Sequence, residues 1–277
     1  AFGSKRRFDA SGIGSLRSQG TLTEYKTQFR RLHPPRSSLL SPYIALGCIS
    51  VRRLARDVAA AGALGKHTDH FIYELLWRDF FRWSTLLNWG ARLFALRGPD
   101  RAPMRAWRPP EEAARLLRRL EDAETGVPFI DALMSQLRQD GHVNNVGRQV
   151  LASFVVDELR IDWRLGARLF ERHLVDYDVC SNYGQWGRAA DVLPCVTQGK
   201  RSRERNLRYY DLALYGTGGW RRPNWQIFTE ARDFLRTYAG ADAFAPWTRA
   251  GGQPEFLSRG LREYFESVDR HSDQSSG

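Results

Sequence analysis

Between residues 21 and 270 the hydrophobic periodicity is helical almost everywhere, and no run of alternating apolar and polar residues appears. A chain without strands has to bury its apolar surface helix against helix, so an all-α domain is expected. Ser50 can cap a helix in which Val51, Leu54, Ala55 and Val58 follow the i, i+3, i+4, i+7 rule, ending near Gly62. A long helix is expected over 68–88, with Phe71, Ile72, Leu75, Leu76, Phe80 and Leu87 as its apolar stripe. Another is expected over 127–140, with Pro128 in its first turn and Gly141 beyond its end. Helices over 144–159, 163–175, 229–239 and 258–268 follow, with Asp162, Thr229 and Ser258 as N-caps. Residues 1–20 and 271–277 lack periodicity and are rich in Gly, Ser and polar side chains. A flexible lead-in and tail are therefore expected around one helical domain, 21–270.

Charge narrows the partners. Lys and Arg number 42 against 31 acids, for a net charge of +11, which favours nucleic acid or a phosphate-bearing cofactor. Only Lys5, Lys26, Lys66 and Lys200 are lysines, so a plain bias toward arginine accounts for the same surplus. No apolar run approaches the ~18 residues of a membrane span, and the N-terminus lacks the layout of a secretory signal. Cys48, Cys180 and Cys195 form no CxxC pair and fit buried thiols in a reducing compartment. An intracellular, monomeric protein with no membrane contact is expected. His67 and His70 have no Cys or acid to complete a metal site. "GTGG" at 216–219 follows no strand, Glu111 and Glu112 read as helix-start acids, and no Ser-His-Asp set can be assembled.

Four groups of residues carry possible chemistry. Glu74, Trp77, Arg78 and Phe81 share one helix face. They are either an exposed ion pair beside core aromatics or the wall of a cavity for something flat and polar. Asn145, Arg148, Gln149 and Ala152 share another face, by default a solvated one, although Arg148 can instead meet Asp176 or Asp178 in a buried pair. Ser37, Ser38 and Ser41 precede Pro42, as a cap or as hydroxyls for a phosphate at a helix start. Finally, "DYDVCSNYGQWGRAADVLPCVTQGK" from Asp176 to Lys200 gathers two acids, Asn182 and Trp186 with no catalytic His or metal ligand.

Taken together, "SSLLSPYIALGCIS", "ELLWRDFFRW", "TGVPFIDALMSQLRQDGHVNN", "RQVLASF", "DWRLGARLFERHLVDYDVCSNYGQW" and "TQGK" resemble the FAD-binding domain of the photolyase/cryptochrome family, most closely its DASH cryptochromes. The resemblance runs collinearly over residues 25–200 and implies an all-helical domain that holds FAD in a folded conformation. It implies Tyr25, Ser37, Ser38, Leu40 and Ser41 along the FAD phosphates, with Phe71 also beside the cofactor. Glu74, Trp77 and Arg78 would stand at the mouth where the family meets adenine and a DNA lesion, and Asn145 would contact both lesion and flavin. Arg148 would pair with Asp176 beside the ring, Asp178 would bond the flavin edge, and Asn182 would face its N5 atom. Trp186 and Trp163 match the inner members of a tryptophan electron relay, with Trp107 as the outer one. Arg30, Gln198 and Lys200 would join Trp77 and Arg78 in contacting DNA.

The implied activity is blue-light splitting of cyclobutane pyrimidine dimers in damaged or single-stranded DNA by electron transfer from reduced FAD, with Glu74 and Asn145 stabilising the dimer anion. A photosensor or a DNA- or RNA-binding flavoprotein without repair, and a relic with weak FAD binding, stay open as alternatives. Three departures bear on the choice. Val146 stands where the family carries a basic residue, Arg188 where it carries an aromatic, and the chain is shorter than the family between Ala190 and Val196. The chain also shows no counterpart of the family's N-terminal α/β antenna domain, so no antenna pigment is expected in it.

Overall fold

The computed structural model describes residues 25–26, 37–60, 65–98, 105–193 and 234–239, and no strand occurs among them. The chain runs through α1 (Ser41–Ala45), α2 (Val51–Ala60), α3 (Lys66–Ser84), α4 (Pro110–Glu121), α5 (Pro128–Asp140), α6 (Asn145–Ser153), α7 (Trp163–His173) and α8 (Val179–Ala189). Two helices end in a π turn, α3 in Thr85–Trp89 and α6 in Phe154–Glu158, and a 3-10 turn follows at Gly90–Phe94. The expected helices 229–239 and 258–268 fall mostly outside the described residues, although 234–238 are helical.

Local chemistry sets most of the boundaries. Pro128 opens α5, and Gly141 closes it in the left-handed region at φ 64. Asn144 Oδ1 accepts from Gly147 N at 2.7 Å to start α6, and Asp162 Oδ1 accepts from Arg164 N at 3.0 Å to start α7. The α8 helix is not anticipated by the periodicity. It begins at Asp178, whose Oδ1 accepts from Ser181 N at 3.0 Å.

Two cores result. The larger holds Phe81, Phe129, Phe154, Trp163 and Trp186, all essentially sealed, along with the buried faces of α4 to α8. The smaller holds Tyr25, Leu40, Leu54, Val58 and Phe71. Helix α3 spans both, because its first half packs on α2 and its second half on α8. That double duty corrects the expected stripe. Phe71 and Phe81 are buried as ends of the helix that meet different cores, while Leu76 is 59% exposed and Leu87 74% exposed. Beyond Ser84 the π turn inserts extra backbone per turn, so Leu87 falls out of phase with the helix before it. A second correction concerns the thiols: Cys48 is exposed and Cys180 half-buried, so neither is sealed in a core.

Candidate functional site

The segment before α1 and the first half of α3 form one wall. Tyr25 packs edge-on against Phe71 at 5.0 Å between ring centroids and hydrogen-bonds Ser38. Burial and the Glu74 carboxylate both push its phenol above the ordinary value, with the Ser38 bond opposing them. Ser38 Oγ also accepts from Leu40 N at 3.4 Å. Ser37 Oγ is buried without a hydrogen-bond partner, a costly state for a hydroxyl unless a ligand satisfies it. The Leu40 and Phe71 side chains are sealed in the smaller core, 1% and 3% exposed. A ligand along this strip would meet hydroxyls and backbone there rather than those two side chains.

The second wall comes from α6 and the loop ahead of α8. Arg148 Nη2 donates to Asp176 Oδ2 at 2.8 Å and Oδ1 at 3.0 Å, and its Nε donates to Val143 O at 2.7 Å. The Asp176 side chain is only 3% exposed. Burial works against its charge, yet Arg148, His142 and a hydrogen bond with Ser41 together hold the carboxyl below its usual range. Ser41, at the start of α1, thus reaches the Asp176 carboxylate from the side of the first wall. His142, close to both charges, is pushed down to about 4, by burial first and then by Arg148.

Other residues named by the resemblance serve the fold as well. Both Asp178 oxygens are engaged: one caps α8, and the other accepts from Arg82 Nη2 at 3.0 Å. Burial opposes that charge too, while Ser181 and Arg82 hold the carboxyl low. Asn182 is buried in α8 and donates through Nδ2 to Ala167 O at 2.9 Å. Asn145 is half-buried, its Oδ1 accepting from Gln149 Nε2 at 3.2 Å. Val146 lies in the larger core at 8% exposure, and the face of Asn145, Arg148, Gln149 and Ala152 is not simply solvated, since Ala152 is buried and only Gln149 is exposed. Glu74 lies 3.4 Å from His70 Nε2, and Arg78 bonds Asp79 at 3.2 Å. The Arg188 guanidinium lies over the Trp77 ring, 4.8 Å from its centroid, and donates to Gln185 Oε1 at 3.2 Å. Arg30, Gln198 and Lys200 lie outside the described residues.

All three relay candidates pack in or against the larger core. Trp186 is 2% exposed, edge-on to Phe170 at 5.0 Å, with an Nε1 that has no hydrogen-bond partner. Trp163 donates from Nε1 to Leu96 O at 3.1 Å. Trp107 is partly buried. The next residue, Arg108, donates from N to Arg160 O at 2.9 Å, which ties this segment to the chain three residues before Trp163.

Sequence reading missed Arg82 and His142 as partners of the acids, although both sit in motifs already quoted, and it named Ser41 only as a hydroxyl for a phosphate, not as a neighbour of Asp176. Orphaned Ser37 Oγ and Trp186 Nε1, a half-buried guanidinium held by a sealed carboxylate, and buried indoles make a donor set that fits a flat, redox-active, phosphate-bearing cofactor. No group of three His, Cys, Asp or Glu that could hold a metal ion occurs among the described residues.

Comparison with known proteins points the same way. Residues 71–203 match the family model described as the FAD binding domain of DNA photolyase. A cryptochrome DASH of Xenopus laevis is 37% identical over 239 residues, 83% of this chain and 42% of that protein. One from Natronomonas pharaonis is 40% identical over 195 residues, 69% of this chain and 38% of that protein. The chain thus spans about two fifths of the length of these relatives. A solved cryptochrome from Synechocystis sp. superposes with a TM-score of 0.68 at 29% identity, over 93% of this chain and 49% of that one. A class III photolyase from Agrobacterium tumefaciens shares the fold, with a TM-score of 0.62 at 23% identity over 95% of this chain and 55% of that one.

Proposed function

The chain belongs to the photolyase/cryptochrome family, whose FAD-binding domain it carries, and on that premise we propose that it is a blue-light-driven flavoprotein that splits cyclobutane pyrimidine dimers in single-stranded DNA. The observation that carries the reading is the Arg148–Asp176 pair beside Ser41, where the hydroxyl strip before α1 meets a cation held by a buried carboxylate. When bound, FAD supplies light absorption and one-electron chemistry.

The chain's own residues do the rest. Ser37, Ser38 and the backbone before α1 bind the phosphates. Arg148, held by Asp176, offers a cation whose position is fixed before any charge develops, so it needs no reorientation. Buried Trp186 and Trp163 keep water from the electron path. Glu74 and Trp77, on one face of α3, present a carboxyl and a flat ring to a flipped base. The net charge of +11 draws the DNA strand.

One observation favours a second reading, a photosensory or nucleic-acid-binding flavoprotein without repair. Arg188 covers a face of Trp77 that a flipped pyrimidine would need for stacking. Two measurements separate the readings. Purified protein with no flavin absorbance sinks both. If flavin is bound, illumination under reducing conditions with a dimer-containing oligonucleotide restores intact bases under the first reading and leaves the dimer intact under the second.

A further inference from the structure

Tyr183 has no part in the relay described above, yet its ring meets that of Trp163 edge-on at 6.2 Å between centroids. Its hydroxyl donates to Glu171 Oε2 at 3.3 Å, on the exposed side of α7. Arg168 and Tyr177 also reach this cluster, Arg168 to the Tyr183 hydroxyl and Tyr177 to Glu171. The cluster differs from the indoles in one chemical respect. Oxidising an aromatic ring makes its N–H or O–H far more acidic, the phenol above all, and loss of that proton to a base slows the electron's return. Trp186 Nε1 has no partner, and Trp163 Nε1 faces the Leu96 carbonyl, a poor proton acceptor. Tyr183 faces a carboxylate. At the other exit, the Arg105 guanidinium lies 5.5 Å from the Trp107 ring centroid, a positive charge that disfavours an indole cation even though Asp157 offsets part of it.

We infer that Tyr183 is a terminal, proton-coupled electron donor to Trp163, with Glu171 as the base. The inference rests on the flavin and relay reading above. The oxidant is photoexcited, oxidised FAD. One electron passes from Trp186 to the flavin, one from Trp163 to Trp186, and one from Tyr183 to Trp163. The Tyr183 O–H bond breaks, its proton forms a new bond to a Glu171 oxygen, and a neutral tyrosyl radical remains while the electron ends on the flavin. Return of that electron then requires the proton to come back, so the separated charges live long.

The test uses FAD-loaded protein with ring-deuterated tyrosine, flashed with blue light and followed by electron paramagnetic resonance and transient absorption. The expected radical signal responds to the tyrosine label. In Tyr183→Phe that response is lost and the charge-separated state decays at least about tenfold faster, while Glu171→Gln slows tyrosyl formation by about a hundredfold. Tyr177→Phe, which touches the same carboxylate, leaves the signal as it is. A readout independent of flavin comes from titrating the phenols of the flavin-free protein. Glu171→Gln lowers the midpoint of the titration that Tyr183→Phe removes, because Glu171 raises that phenol. If Tyr183→Phe keeps the parent radical and lifetime while Trp186→Phe blocks photoreduction, the Tyr183 role is wrong and the relay stands. If Trp186→Phe photoreduces at the parent rate, the relay fails and this inference fails with it.

Discussion

Replacing Arg148 with Met should destabilise the protein through the group it leaves behind. The substitution keeps much of the side-chain volume but deletes the partner of an Asp176 carboxylate that is 3% exposed, and it strips Val143 O of a 2.7 Å donor. Breaking a buried pair by removing one partner costs about 3–5 kcal/mol. Because the Arg148 side chain is itself 27% exposed, the lower end applies, about 3 kcal/mol. In a chain of this size that lowers the melting temperature by roughly 6–10 °C. The pH dependence adds a second signature. In the parent, the depressed Asp176 carboxyl contributes stability that is complete above the unfolded carboxylate value and fades as pH falls through the folded one. In Arg148→Met, burial is opposed only by the smaller effects of His142 and Ser41 and raises the folded value, so the penalty is complete at neutral pH and eases as the solution is acidified. Circular-dichroism melts of parent and variant should therefore converge from neutral toward about pH 5. The double variant Arg148→Met/Asp176→Leu should return to within about 1 kcal/mol of the parent. A single variant that loses less than about 0.5 kcal/mol, or a double variant as weak as the single, refutes the claim that this carboxylate is desolvated and held by Arg148.

Three further outcomes follow from the same geometry. Trp186→Phe should leave FAD bound, by its absorbance, while blocking photoreduction under blue light; an unchanged rate would show that electrons take another route. His142, with its folded value near 4 against 6.5, should make stability complete above pH 6.5 and lost as pH falls toward 4, by up to about 3 kcal/mol; urea unfolding across that window should flatten in His142→Gln. Gly166→Ala should cost about 1–2 kcal/mol in chemical denaturation despite the better helix propensity of Ala, because the new Cβ would lie 2.3 Å from the Trp186 ring.

Helix starts and stops were legible because their chemistry is local: the Asp162 cap of α7, and Pro128 and Gly141 around α5, act within a few residues. Helix α8 was hidden because Gly184 and Gly187 weaken its pattern. Both are needed for contact, since a Cβ would fall 2.2 Å from Phe81 at the first and 2.6 Å from Leu193 at the second. Asp178 was legible as an acid of interest but not as the residue that starts that helix. The α3 stripe failed for a tertiary reason, since one helix serving two cores cannot keep one buried face. Within the candidate site, Arg148 with Asp176 could be drawn as a pair because each residue already stood out. Arg188 over Trp77 joins residues far apart in sequence, and no local pattern announces a guanidinium above an indole.

The packing of Trp186 carries one more consequence. Its indole is packed against the bare Cα of Gly166 and the ring of Phe170 and is sealed from solvent. Electron loss from a site whose surroundings cannot rearrange has little nuclear motion to wait for, so the first transfer from Trp186 should persist in a frozen glass. The step at Tyr183, which must shift a proton toward a carboxylate at the solvent boundary, should freeze out, and temperature alone would then divide one light-driven sequence into its two kinds of step.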